Sequence, residues 1–458
     1  MEIAEAIFSR NPQAATIVSN VYWPLIYNDL LYVAQYWNTS SYDLWEEVNG
    51  NSFFTTTAQH RALVQGSIWA QRLNKTCAPC QQAPQLACFL ANSFWNETGN
   101  YLLANINANQ VNRSQINADP ILAAMHAFDI NATCDAAALQ PCNSRALATH
   151  KVWVDSFRNL YPINENATAP AAILTGRYPE DTYYTGNPWY ITTLAAAEFL
   201  YDAYAQFSQA GSITVDSVSL PFWSDLVPTV KQGTYADDGN VSTLLDAVKT
   251  YADGFMEQVA TYTPANGTLN EQINKTTGEP TSAIALTWSF AAFVTAAERR
   301  EGAFPPSWGA NSTAANNVTS TCARSSYNGT GQYTPALAAG APNITKDCET
   351  HVILSLLYAT GPTENTYIVG NTSVLGDTLD NTDDIVKVLR TNNVTNDNPQ
   401  WFADFWAPAG VPIEYRYAVI NNTLNEWRFE NTTHIVYPAQ CGNNTVVSQL
   451  VNGTSLIL

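Results

Sequence analysis

Residues 188–207 read PWYITTLAAAEFLYDAYAQF, and Gly211 follows shortly after. The run has a first-turn proline, apolar residues at helical spacing and a glycine stop, so it predicts one long helix. Working outward, Ala14–Trp37 carries the same spacing, interrupted only by Pro24. His60–Leu73, Val241–Tyr262 and Ser282–Arg300 are further helices of the same period. Polar segments rich in Gly, Asn and Thr, such as Gly176–Asn187, lie between them. A helical frame with long loops gathered at one end is a way to build a pocket.

The character changes after Cys322. The segment ARSSYNGTGQYTPALAAGAPNITKD is small, polar and Pro/Gly-containing, and reads as a linker. From Cys348 the runs are short and rich in β-formers: HVILSLLY, TYIVG, IVKVL, WFADFW, IEYRYAVI and HIVY. Turn residues separate them, as in a small β-sandwich. The expected order is a mainly α domain over 1–325, a linker over 326–347 and an all-β domain over 348–458.

The chain has 458 residues, 46% apolar and 13% charged, which is globular rather than disordered. Twenty Lys and Arg against 39 Asp and Glu leave a net charge of −19. That balance repels phosphate backbones and anionic membranes, so neither nucleic acid nor a membrane is an expected partner. No apolar run is long enough to span a bilayer. A neutral ligand suits the charge better, and 13 Trp with 23 Tyr supply flat amphipathic faces.

Eight cysteines and about nineteen Asn-x-Ser/Thr sequons point to a glycosylated, disulfide-bonded, secreted protein. The single CxxC, Cys77 to Cys80, has no second pair and no histidine at ligand spacing, so no metal is expected. No phosphate-cradling glycine loop is present either, and no cofactor is expected. His60, His126, His150, His351 and His434 are scattered and read as structural or surface residues. The opening MEIAEAIFSRNPQAATIVSN is amphipathic and acidic, unlike a signal peptide.

Tyr42–Gly50, YDLWEEVNG, crowds Asp43, Glu46 and Glu47 around Trp45. Such crowding is either a solvated turn or a site that keeps one carboxyl protonated near neutrality. The longer stretch 42–66 (YDLWEEVNGNSFFTTTAQHRALVQG) resembles the fungal-type glucoamylases of glycoside hydrolase family 15. So do 144–151 (SRALATHK), 176–190 (GRYPEDTYYTGNPWY) and 269–292 (LNEQINKTTGEPTSAIALTWSFAA). The β region resembles the starch-binding module of carbohydrate-binding family 20.

The resemblance implies an (α/α)6 barrel that releases glucose from non-reducing ends of starch and malto-oligosaccharides with inversion. It implies Glu46 as general acid and Glu271 as general base, with Asp43 and Glu47 raising the proton affinity of Glu46 and Trp45 limiting its solvation. Glu47, Arg177 and Asp181 are implied sugar-binding residues, Tyr183 and Trp189 pocket walls, and Gln272 a neighbour of the reacting sugar. The implied disulfides are Cys77–Cys80, Cys88–Cys322, Cys134–Cys142 and Cys348–Cys441. A monomer is expected.

The chain departs from the family in two ways. Met1 falls near the end of the family's fourth barrel helix, so an incomplete barrel is expected, lacking an early sugar-gripping loop. In the β module, LGDW appears as Leu375-Gly376-Asp377-Thr378. Trp427 and Arg416 remain at one implied sugar site and Trp401 at the other, so weak starch binding is expected. Two other readings fit the residues: a non-catalytic carbohydrate-binding protein, and an inverting glycosidase acting on trehalose or gluco-oligosaccharides.

Overall fold

The structure is a computed structural model. It describes residues 15–108, 112–136, 139–236, 239–316, 349–361, 364–376, 378–379, 387–388, 390–395, 398–421, 426–438 and 447–452. The chain divides into two compact units, Met1–Gly340 and Ala341–Leu458.

Among the described residues the first unit has nine helices of seven residues or more. They are α1 (Trp23–Tyr36), α2 (Phe53–Arg72), α3 (Ala83–Ser93), α4 (Asp119–His126), α5 (Ser144–Asp155), α6 (Tyr190–Ala210), α7 (Leu220–Leu226), α8 (Gly239–Thr261) and α9 (Thr287–Arg300). α2, α4, α6 and α9 pack side by side in that order as an inner row. α1 and α3 lean on α2, α5 on α4, and α8 on α6. Outer and inner helices therefore alternate along the chain up to α6, α7 and α8 are both outer, and the described helices form an arc rather than a closed ring. Both ends of the arc keep apolar side chains at the surface. Tyr32 and Tyr36 are exposed on α1, and Phe293 and Val294 on α9.

The long helix predicted from 188–207 is α6. Gly211 takes φ 65 just after it, donates its N–H to Phe207 and stops it. The π-turn Val18–Tyr22 leads into α1, and Pro24 lies in the first turn of that helix, where it needs no N–H partner. Two starts differ from expectation. α2 begins at Phe53, not near His60, because Ser52 caps it through Thr55 N–H and the buried Thr56 and Thr57 hide the apolar period. α9 begins at Thr287 because the preceding residues form a hairpin of β4 (Gln272–Ile273) and β5 (Pro280–Thr281). α1 and α2 approach closely at Gly66, where a Cβ would lie 2.4 Å from Leu30 Cδ1.

The second unit is a two-sheet sandwich. One sheet contains β6 (Glu349–Leu357), β9 (Arg390–Thr395), β10 (Asn398–Pro408) and β14 (Val447–Asn452), in the order β9-β10-β6-β14 with β6 and β14 parallel. The other contains β7 (Glu364–Gly370), β8 (Lys387–Val388), β11 (Ile413–Asn421) and β12 (Glu426–Phe429), in the order β8-β7-β11-β12, with β13 (His434–Val436) also pairing β11. Val352, Leu354, Leu356 and Phe405 of the first sheet share a core with Ile368, Tyr415 and Tyr417 of the second. The alternation read from the sequence is this inward face.

Cys77–Cys80 and Cys134–Cys142 are disulfides, and Cys88 is also disulfide-bonded. Cys322, Cys348, Cys441, Met1 and the linker 326–347 lie outside the described residues. Among the described residues no helix is long and apolar enough to cross a membrane.

Candidate active site

Four loops meet at one end of the inner row: those entering α2, α4, α6 and α9. The first carries Asp43–Glu47, ahead of β2 (Asn49–Ser52), which pairs β1 (Ser41–Tyr42) and β3 (Asn105–Ile106). Asp43 is 3% exposed and turned inward, accepting from the N–H groups of Glu47 (3.0 Å) and Val48 (3.2 Å) and from Asn105 Nδ2 (3.2 Å). It thereby closes the turn whose far corner is Glu46. Glu46 sits at φ 58, left-handed for a non-glycine, and its N–H returns to Asp43 O at 3.0 Å. Such a conformation costs on the order of 1–3 kcal/mol and is commonly retained where a side chain must be presented. The Glu46 side chain is exposed.

This corrects the expected basis for the crowding. Trp45 does not bury Glu46: its indole N–H goes to Asn117 Oδ1 at 2.9 Å and its ring lies 6.1 Å from that of Trp189. The charge of Glu47 is already compensated. Its Oε1 meets Arg177 Nη1 at 2.9 Å, and its Oε2 meets Arg113 Nη1 at 3.0 Å and the Tyr178 hydroxyl. Burial opposes its ionisation, but the tyrosine and the two arginines outweigh it and hold the carboxyl below its ordinary value.

Arg177 is the hub of the loop before α6. Its Nε and Nη2 bind both oxygens of Asp181 at 2.7 Å, and the two side chains are 5% and 1% exposed. This is a buried bidentate pair, not a surface contact. Breaking such a pair costs about 3–5 kcal/mol, because the survivor is left buried and unpaired. The guanidinium also lies 5.0–5.3 Å from the rings of Trp45, Tyr178, Tyr183 and Trp189. Gly186 takes φ 70, with room for a Cβ only 2.0 Å from Asp181 O, so the turn back to Trp189 requires glycine.

Trp189 is 2% exposed and stands among Trp45, Tyr183 (5.9 Å) and Trp288 (5.7 Å). Trp189 is therefore part of the core, whereas the Tyr183 ring beside it is 44% exposed. Trp189 also makes an isolated antiparallel bridge to Gln272, which places Glu271 beside this aromatic group. Glu271 is 8% exposed. Its Oε2 accepts from Ser282 Oγ and from Gln272 Nε2 at 3.2 Å, and Gln272 is itself held by Asn187 Nδ2 at 3.1 Å. Oε1 has no donor among the described residues. The Tyr183 hydroxyl is pushed up in pKa by burial and then by the negative charge of Glu271, so this ring and the carboxylate share one field.

All ten catalytic-domain residues singled out from sequence thus lie in these converging loops. Arg113, Asn117, Tyr178, Asn187 and Ser282 were missed. In the β unit, Trp401 is half-buried, with its N–H on Tyr358 O at 2.9 Å. Trp427 stacks on Phe429 at 5.9 Å and 14°, and Arg416 lies over Phe429 while bonding Leu379 O. Thr378 is exposed, and Asp377 lies outside the described residues.

Residues 3–298 match the glycosyl hydrolases family 15 and residues 349–447 the starch binding domain. The chain belongs to glycosyl hydrolase family 15. It is 44% identical over 443 residues to glucoamylase P of Amorphotheca resinae, covering 96% of this chain and 70% of that protein. It is 43% identical to the glucoamylase of Neurospora crassa, covering 89% of this chain and 66% of that one. The solved structure of Hormoconis resinae glucoamylase superimposes with a TM-score of 0.69 at 42% identity, over 98% of this chain and 75% of that chain. A family 15 glucoamylase from Hypocrea jecorina gives 0.67 at 39% identity, over 97% and 76%. The relationship covers both the helical unit and the β unit.

Proposed function

We propose that this chain is an exo-acting, inverting glucosidase that releases glucose from non-reducing ends of starch and related α-1,4 and α-1,6 glucans. The observation that supports the reading is that Glu46 and Glu271 lie next in sequence to Trp45 and Gln272, which meet at Trp189. Glu46 is presented at a strained corner without a partner among the described residues. Glu271 is held through one oxygen, leaving the other for a water. Inversion asks for this division: an acid that reaches the leaving oxygen, and a base that orients water from the opposite face roughly 6.5–9.5 Å away. Glu47, Arg177 and Asp181 supply fixed polar groups for sugar hydroxyls, while Trp45, Tyr183 and Trp189 supply flat faces. Gln272 sets the orientation of Glu271. The disulfides favour an oxidising, extracellular setting.

The test is glucose release from maltose and soluble starch by the native chain and by Glu271→Gln, with the product anomer followed by NMR. Native activity yielding the β-anomer, reduced about 10²–10⁴-fold or more in the variant, is the expected result. Equal activity in both proteins, or release of the α-anomer, overturns the mechanism. An inactive native chain that still binds starch leaves a carbohydrate-binding protein.

A further inference from the structure

The outer face of the β unit carries an aromatic platform that the sequence reading did not assign. β6 and β10 pair with His351 opposite Trp406 and Ile353 opposite Asp404. Their neighbours Val352, Leu354, Ala403, Phe405 and Ala407 are buried in the sandwich core. Alternation therefore puts His351, Asp404 and Trp406 on the opposite face. Trp406 is 60% exposed, the most exposed tryptophan among the described residues. Its ring stacks on that of His351 at 5.1 Å and 27°. His351 Nε2 lies 3.4 Å from Asp404 Oδ2, so the carboxylate borders the same platform.

Around the platform β10 is paired with β6, His351 facing Trp406 and Ile353 facing Asp404, while its pairing with β9 runs over Asn398–Phe402. A large indole held flat by a stacked ring leaves apolar area exposed, which is unfavourable in water. A planar ligand with an apolar face and a polar rim recovers that area, and hydroxyl donors on the rim would meet the Asp404 carboxylate. With a net charge of −19, a neutral ligand is favoured over an anionic one. A pyranose ring has this form. Meanwhile the implied sugar tryptophans are less available: Trp427 lies between Tyr367 and Phe429, and Trp401 packs against the core.

We propose that Trp406, backed by His351 and flanked by Asp404, is a glucan-binding site of this unit. The proposal rests on the starch-binding reading of residues 349–447. Calorimetric titration of the full chain with β-cyclodextrin, which has no chain end for an exo-acting site, tests it. Trp406→Ala should weaken binding about tenfold or remove one binding equivalent, Trp406→Phe should keep most of it because a flat face remains, and His351→Ala should fall between. Glucose release from maltose should be unchanged in all three, which also reports intact folding of the catalytic unit. Unchanged titration of Trp406→Ala beside loss in Trp427→Ala or Trp401→Ala overturns this site and leaves the starch-binding reading standing. No binding by the native chain overturns both.

Discussion

Glu47 receives three donors, whereas Glu46, its neighbour in sequence, has none among the described residues. Two adjacent glutamates thus differ in their surroundings although they are of one type. Arg113 completes the cage around Glu47 and lies 4.2 Å over the Tyr178 ring. It is a positioning residue: removing it frees one side of Glu47 without touching Glu46 or Glu271. The contact is a quarter exposed on each side, so its worth is discounted to about 1 kcal/mol. Arg113→Ala should therefore raise KM for maltose about fivefold with kcat nearly unchanged, and Arg113→Lys should recover part of the loss. Steady-state kinetics on the three proteins decides it; an equal fall in kcat would place Arg113 in the chemical step instead.

At the scale of elements, one buried carboxyl ties the starts of two inner helices together. Asp119, fully buried at the first turn of α4, binds Ser52 Oγ at 3.1 Å and Phe54 N–H at 3.0 Å at the start of α2. Burial, and to a lesser extent the charge of Asp43, push its pKa up to about 8. The folded value lies above the unfolded one near 4, so its contribution is intact at low pH and is lost progressively as pH rises toward 8. Asp119→Asn keeps the shape and removes the titration. Its melting temperature relative to native should climb between pH 4.5 and 8, and a constant difference across that range would show that Asp119 ionises as freely in the folded chain as in the unfolded one. The same junction marks how far sequence reading reaches. The helix at 190–210, its glycine stop and the alternating β runs were legible, because period and punctuation are local. That Asp43, Glu46, Arg177, Asp181 and Glu271 belong to converging loops was legible through motifs. The partners that hold them were not. Glu47–Arg113 spans 66 residues, Trp45–Asn117 spans 72 and Glu47–Tyr178 spans 131, and no local period records which loops converge.

For the helical unit as a whole, the arc leaves apolar rows at its two ends. On α9, Trp288, Phe290, Phe293 and Val294 are 37–52% exposed, and on α1 Leu25, Tyr32 and Tyr36 are 41–49% exposed. Exposed large apolar side chains on a soluble protein favour association. The expectation of a monomer came from resemblance, whereas these side chains favour contact between copies. Net charge opposes that contact at low ionic strength, and added salt screens the repulsion while leaving the apolar term intact. Sedimentation velocity across a concentration series should therefore show association that strengthens with salt. Phe293→Ser with Val294→Thr, at side chains 43% and 52% exposed, should shift it toward monomer, with the far-ultraviolet circular dichroism unchanged. A native chain that stays monomeric at high concentration and high salt would mean that these side chains remain in water at a cost the core alone offsets.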